Sequence, residues 1–191
     1  KYMTAREEDI LTNQNYISKG IVLDKLIESL IVSKVNINDI IIGDKNSLLI
    51  ASRILGYGKD YTFRAYNSDT QGMADFTVDL TTLDDKHLSP EDLNEEGVNE
   101  FPFVLPHSKT SVTFKILTHG DEKNIEREIT GLQKIKPDTN PEIFTRLKYI
   151  ITSVDGDREK KTIREFVDNM LLARDSRSLR EEIRRVSPDV E

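Results

Sequence analysis

Four arginines near the end of the chain, Arg174, Arg177, Arg180 and Arg184, recur at spacings of three, three and four. On a helix this spacing lines the guanidinium groups along one side, and their forked donors match carboxylates bidentately in a way lysine cannot. Glu181 and Glu182 stand at short helical distances and relieve part of that charge. Two readings follow: a salt-bridged face turned to solvent, or a docking face for an acidic, carboxylate-bearing partner. Nucleic acid ranks below both. The helix has no aromatics on which bases would stack, and 27 basic against 34 acidic residues give a formal charge of −7 that repels phosphate backbones.

Other chemistry is thinly represented. With no cysteine there is no disulfide, thiolate nucleophile, Cys-ligated zinc or iron–sulfur cluster. His87, His107 and His119 fall in three separate predicted loops, with neither HExxH nor a histidine pair at helical spacing. Thr118-His119-Gly120-Asp121 sets an imidazole near a carboxylate, the smallest unit for general-base work, but the same residues spell a helix start and no nucleophile accompanies them. Asp155-Gly156-Asp157 is similar to the opening of a calcium loop. Lys160 then stands where the turn glycine belongs and Phe166 where the bidentate glutamate belongs, so the stretch reads as a glycine turn with Asp157 capping a helix. Gly56-Tyr57-Gly58 reads as a helix stop. The phosphate-cradling GxxxxGK[ST], dinucleotide GxGxxG and nucleophile-elbow GxSxG patterns are all missing. No catalytic residue, cofactor or metal is expected.

The elements that must position these groups change character along the chain. Its 191 residues, 37% of them hydrophobic, suffice for one or two domains with a packed core. No apolar run approaches the ~18–20 residues of a membrane helix. The first residue is Lys1 rather than Met, which fits a segment lacking its natural start, and no signal-peptide core follows. Thr4-Ala5-Arg6-Glu7 has capping-box spacing and predicts a short helix. Val22, Leu23, Leu26, Ile27, Leu30 and Ile31 form an apolar stripe that leaves Asp24, Lys25 and Glu28 mostly outside it. Asp44 is expected to cap a further helix with a core face of Leu48, Leu49, Ala51, Ser52 and Leu55, stopped by Gly56 and Gly58.

After Gly58 the period becomes two. Tyr61, Phe63 and Ala65, then Phe76, Val78 and Leu80, predict one hairpin. Phe101, Phe103 and Leu105, then Val112, Phe114 and Ile116, predict a second, with Pro102 and Pro106 placing its first strand at an edge. Phe76 and Phe114 are expected to point inward, beneath a helical cover. Between the hairpins, positions 79–100 hold eight acids against Lys86 alone. That block reads as a solvated loop or an acidic docking segment for a basic partner. Helices return from the Thr118–Asp121 capping box onward: one through Ile125, Ile129 and Leu132, and one opened by Thr139 and Pro141 through Ile150 and Ile151 to Gly156. Another runs from Arg158 to Leu172 with a stripe of Ile163, Phe166, Val167 and Met170, and a last one, capped by Asp175 or Ser176, ends before Pro188. The expected class is α+β: N-terminal helices over 1–58, a small antiparallel β-domain of two hairpins over 59–117, and a C-terminal helical region over 118–191.

The residues also carry a resemblance. Met3-Thr4-Ala5-Arg6-Glu7-Glu8-Asp9-Ile10-Leu11, Gly43-Asp44-Lys45-Asn46, Ile50-Ala51-Ser52-Arg53-Ile54 and Gly56-Tyr57-Gly58 resemble the T4-like bacteriophage baseplate hub assembly family. Phe76-Thr77-Val78-Asp79-Leu80, Thr113-Phe114, Leu117 to Glu122, Val154-Asp155-Gly156, Phe166 to Met170 and Ala173 to Arg180 continue the pattern in the family's order over most of the chain. The resemblance implies a non-enzymatic protein that assembles, or forms part of, the central hub of a contractile-tail baseplate. Its implied partners are other phage baseplate hub and tail proteins, with a homo-oligomer also allowed and no specific nucleic acid or membrane. The implied setting is the host bacterial cytoplasm during assembly, or the virion baseplate. Several relatives carry a Cys-containing, zinc-ribbon-like pair in the first hairpin turn. Here the turn reads Ala65 to Gly72 without cysteine, so no metal is expected. Arg174, Arg177, Arg180 and Arg184 are the expected partner-binding residues, and a cell-wall hydrolase is the contrasting possibility from another class.

Overall fold

The computed structural model describes residues 1–86, 89, 92, 97–138 and 140–190. His87 and Thr139, and Glu91, Glu95 and Glu96 of the acidic block, lie outside the described residues. The fold is α+β, with helices at the N-terminal end, small antiparallel sheets, and a C-terminal helical region. It divides into two compact units, Lys1–Ile37 with Gly43–Lys86 and Asp189–Glu191, and Asn38–Ile42 with His87–Pro188.

In the first unit, α1 (Ala5–Leu11) begins after Thr4, whose backbone N–H donates to the returning Glu7 carboxylate at 2.8 Å. The Thr4 hydroxyl donates to the same carboxylate at 2.6 Å. A short α2 (Gln14–Ser18) and α3 (Val22–Leu30) follow, and α3 buries Leu26, Ile27 and Leu30. Asp24 departs from the expected solvent face. It is buried because Lys45 of α4 (Ile42–Tyr57) donates to it at 2.7 Å, giving the carboxylate an ionic partner away from water. Helix α4 starts ahead of Asp44, so Asp44 is not its cap. Gly58, at φ +85°, stops the helix, whereas Gly56 lies inside it, close against the Met3 side chain. The expected α4 core face is shallow, with Leu48 and Leu49 half-buried and Leu55 exposed.

The first hairpin pairs β1 (Asp60–Asn67) with β2 (Gly72–Asp79) in a two-stranded sheet, with Tyr61 opposite Val78, Phe63 opposite Phe76 and Ala65 opposite Ala74. Its apolar face lacks the expected helical cover, and Phe76 stays exposed. The only other strands of this unit among the described residues are β3 (Asp85–Lys86) and β7 (Asp189–Val190), paired antiparallel.

The second hairpin, β4 (Phe101–Val104) and β5 (Ser111–Phe114), lies in a separate sheet in the second unit. The edge position expected for β4 is observed, with β5 central. The far side of β5 is taken by β6 (Ile151–Val154), a strand where the helical reading ran on to Gly156. Thr152 and Val154 are β-branched, and the chain turns extended at Ile151, where pairing with β5 satisfies the backbone groups that helix would otherwise hold. Asp155 and Gly156, at φ +47° and +86°, then make a two-residue turn closed by reciprocal Val154–Asp157 backbone bonds of 2.9 Å.

Around this sheet pack α6 (Glu142–Ile150), α7 (Lys160–Asn169) and α8 (Ala173–Val186), the order following α5 (His119–Ile135), whose Thr118–Asp121 capping box forms as expected. Leu147 and Ile150, Ile163, Phe166 and Val167, and Leu179 and Val186 join Leu105, Val112, Phe114 and Ile116 in one core. Helix α7 is shorter at both ends than expected, and Met170, beyond its last residue, is exposed rather than part of the stripe.

Candidate functional site

Helix α8 carries the four arginines of the sequence reading. It buries Asp175, Leu179 and Val186 and leaves Arg174, Arg177, Arg180 and Arg184 exposed. At 100° per residue the four side chains fall in an arc of about 120° centred almost opposite Leu179 and Val186. Arg177 Nε donates to Glu181 at 2.9 Å, a pair exposed on both sides, and Arg180 Nε donates to the Ser176 carbonyl at 3.3 Å. Exposed pairs of this kind contribute about 0–1 kcal/mol, so the face is available for recognition at little cost to the fold.

The opposite side of the helix explains how that face is held. Neither Asp175 nor Ser176 caps α8: Leu172 takes that position, and the Asp175 carboxylate is buried against the β4–β5 turn. The His107 and Ser108 backbone N–H groups donate to its two oxygens at 2.8 and 2.9 Å. Burial pushes this carboxyl up, but the His107 and Ser108 donors outweigh burial and hold it below its ordinary value. One acidic side chain thus satisfies two turn amides and anchors the arginine helix to the central hairpin. Only the pairing of residues distant in the chain reveals this, and no local motif around Asp175 announces it.

The acidic block is partly neutralised within the chain. Arg185 makes two 2.8 Å bonds to Asp92, and Arg158 makes two to Glu100. Lys59 reaches Asp79 at 2.6 Å. The bound cation lowers each carboxyl below its ordinary value, Asp79 to about 2. These three acids are struts as well as surface charge, which narrows the docking reading of the block to its other members.

Glu7 is also buried, accepting from Ser29 Oγ at 2.5 Å and from Thr4, with Lys1 Nζ at 3.0 Å. Those donors hold its carboxyl well below the usual range. His119 sits at the start of α5, its N–H donating to the Ile40 carbonyl at 2.8 Å. Among the described residues no three His, Asp or Glu side chains gather where they could hold a metal ion, and no helix is long and apolar enough to cross a membrane.

A second surface, which the alternating pattern indicated only as a core face, lies in the first unit. Met3, Leu23, Leu49, Tyr57 and Tyr61 help line an apolar cleft of about 470 Å³ whose one charged wall residue is Arg53. The Arg53 guanidinium lies 5.3 and 5.9 Å from the Tyr57 and Tyr61 ring centres and donates to the Gly58 and Asp60 carbonyls. Beyond Tyr61 the exposed aromatic ladder of the hairpin continues through Phe63 to Phe76, with ring centres 6.0 and 5.9 Å apart. Comparison of the chain with protein-family models, curated proteins and solved structures found no match.

Proposed function

We propose that this chain is a non-enzymatic assembly protein of a contractile-tail phage, acting through protein–protein contacts to build the central hub of the baseplate or to remain in it as a subunit. The observation that carries this reading is the arginine face of α8: four exposed guanidinium groups on a helix whose other side is anchored by Leu179, Val186 and the Asp175 clamp. A rigid row of forked cations suits recognition of a carboxylate-bearing protein surface. The ordered resemblance to the baseplate hub assembly family supplies the identity of the partners, other hub and tail proteins, and the setting, the host cytoplasm during assembly. The buried carboxylates Glu7 and Asp175 are occupied by donors of the fold, which fits a binding rather than a catalytic role.

The double variant Arg177→Glu, Arg180→Glu tests the reading. The expected result is an unchanged far-UV spectrum and unfolding midpoint, with loss of hub-protein capture from infected cells and loss of productive tails. Capture at the wild-type level would refute the arginine face. Mass spectrometry of finished particles separates a retained subunit from a factor that leaves.

A further inference from the structure

We infer that a cavity within the second unit is a binding site for a small phosphate-bearing molecule. The inference stands independently of the baseplate reading. The cavity has a volume of about 350 Å³ and is lined by five cations, Lys115, Lys148, Arg158, Lys160 and Arg164, with Asp121 the one acid on its wall among the described residues. In a chain of net charge −7 this concentration of positive charge runs against the composition. Lys115 follows β5, Lys148 lies on α6, Arg158 precedes α7, and Lys160 and Arg164 lie on α7, so the fold and not a basic run of sequence brings them together.

Four of the five cations are held in place. Lys115 donates to Asp121 at 2.8 Å, and Lys148, whose side chain is 7% exposed, lies 2.6 Å from Asp168 with its ammonium 4.5 Å from the Phe144 ring centre. Arg158 makes two 2.8 Å bonds to Glu100, and Arg164 makes two to Glu128. Glu100, Glu128 and Asp168 are not wall residues of the cavity, so they fix the cations without contributing their own charge to its lining. Counting them still leaves an excess of cation, and the fifth, Lys160, is exposed and makes no ion pair among the described residues. Lys160 and Lys161 open α7 in a first turn that holds no acid, where the helix dipole disfavours positive charge. The fold bears that cost, and an anion in the cavity relieves it.

The charge and the shape select the ligand. A single added carboxylate would meet guanidinium and ammonium groups that already have carboxylate partners. A phosphate group carries about −1.5 to −2 at neutral pH and three strong acceptor oxygens, enough to engage Lys160 together with the N–H donors that Arg158 and Arg164 do not give to Glu100 and Glu128. The space is concave and of small-molecule size, within the ~300–1,000 Å³ of ordinary ligand clefts, rather than a flat face for a protein. Tyr149, Ile151 and Ile163 supply an apolar part of the wall against which the body of an organic phosphate can pack.

Titration calorimetry of the whole chain with inorganic pyrophosphate and with adenosine diphosphate, at low salt, tests the inference. Wild-type protein should show one saturable site per chain for both probes. Lys160→Glu should weaken binding by about tenfold or more, whereas Lys161→Glu, which changes the net charge equally one residue away from the cavity wall, should weaken it by less than about threefold. Neither substitution should lower the unfolding midpoint, because neither lysine has an ion pair to lose and a carboxylate suits the start of α7. Tighter binding of the diphosphate nucleotide than of pyrophosphate identifies a nucleotide as the ligand, and equal binding identifies the phosphate groups alone as what the site reads. No saturable binding of either probe up to about 5 mM overturns the inference. So does equal weakening by the two substitutions in folded protein, which would mean diffuse surface charge, or citrate bound as tightly as pyrophosphate.

Discussion

Truncating Phe114 to alanine and truncating Phe76 to alanine perturb the same residue type in the same kind of hairpin strand, and the structure predicts very different costs. Phe114 is 0% exposed on the central strand β5, stacked on Phe101 at 5.5 Å and surrounded by the main core. Removing its ring loses the ~1.5–3 kcal/mol of a buried Phe side chain and leaves a cavity, for a total of about 3–5 kcal/mol. Phe76 keeps 37% of its surface in water and has no helix above it. About two-thirds of the transfer contribution is at stake there, roughly 1–2 kcal/mol, and no cavity forms because solvent fills the space. Urea or guanidinium midpoints at constant slope read the two values directly. Equal destabilisation by the two truncations, or a larger effect at Phe76, would refute the placement of the core in the second unit and the exposure of the first hairpin.

Gly156→Ala, at φ +86° with open space where a Cβ would go, should destabilise by about 1–2 kcal/mol through backbone conformation alone, read as a lowered denaturant midpoint. Gly131→Ala, inside α5 and also facing open space, should raise stability by about 0.5–1 kcal/mol in the same assay. Lys59 and the Thr81 hydroxyl and amide hold the Asp79 carboxyl at about 2, below its ordinary 3.8. The ionised form therefore stabilises the fold above the ordinary value, and that contribution is lost as the pH falls toward 2. Lys59→Met should flatten the acid dependence of the thermal midpoint in that window, while an unchanged profile would count against the pair. Elemental analysis of purified protein should find no stoichiometric zinc, and one zinc per chain would overturn the expectation drawn from the missing cysteines.

Features governed by near neighbours were legible in the sequence. Thr4 with Glu7 and Thr118 with Asp121 start helices because a three-residue reach lets a side chain satisfy the first unbonded amides. Two-residue alternation announces both hairpins, and the spacing of Arg174, Arg177, Arg180 and Arg184 puts them on one side of α8. What the tertiary structure decided depends on partners far along the chain. Ile151–Val154 becomes a strand only because β5 presents a free edge some 40 residues earlier. Asp24 and Asp175 are buried rather than solvated because Lys45 and the His107 and Ser108 amides, 21 to 68 residues away, come within 3 Å of them. The same alternating pattern places Phe114 in a core and leaves Phe76 in water. Periodicity says which residues share a face of a strand, whereas burial of that face depends on whether another element packs over it.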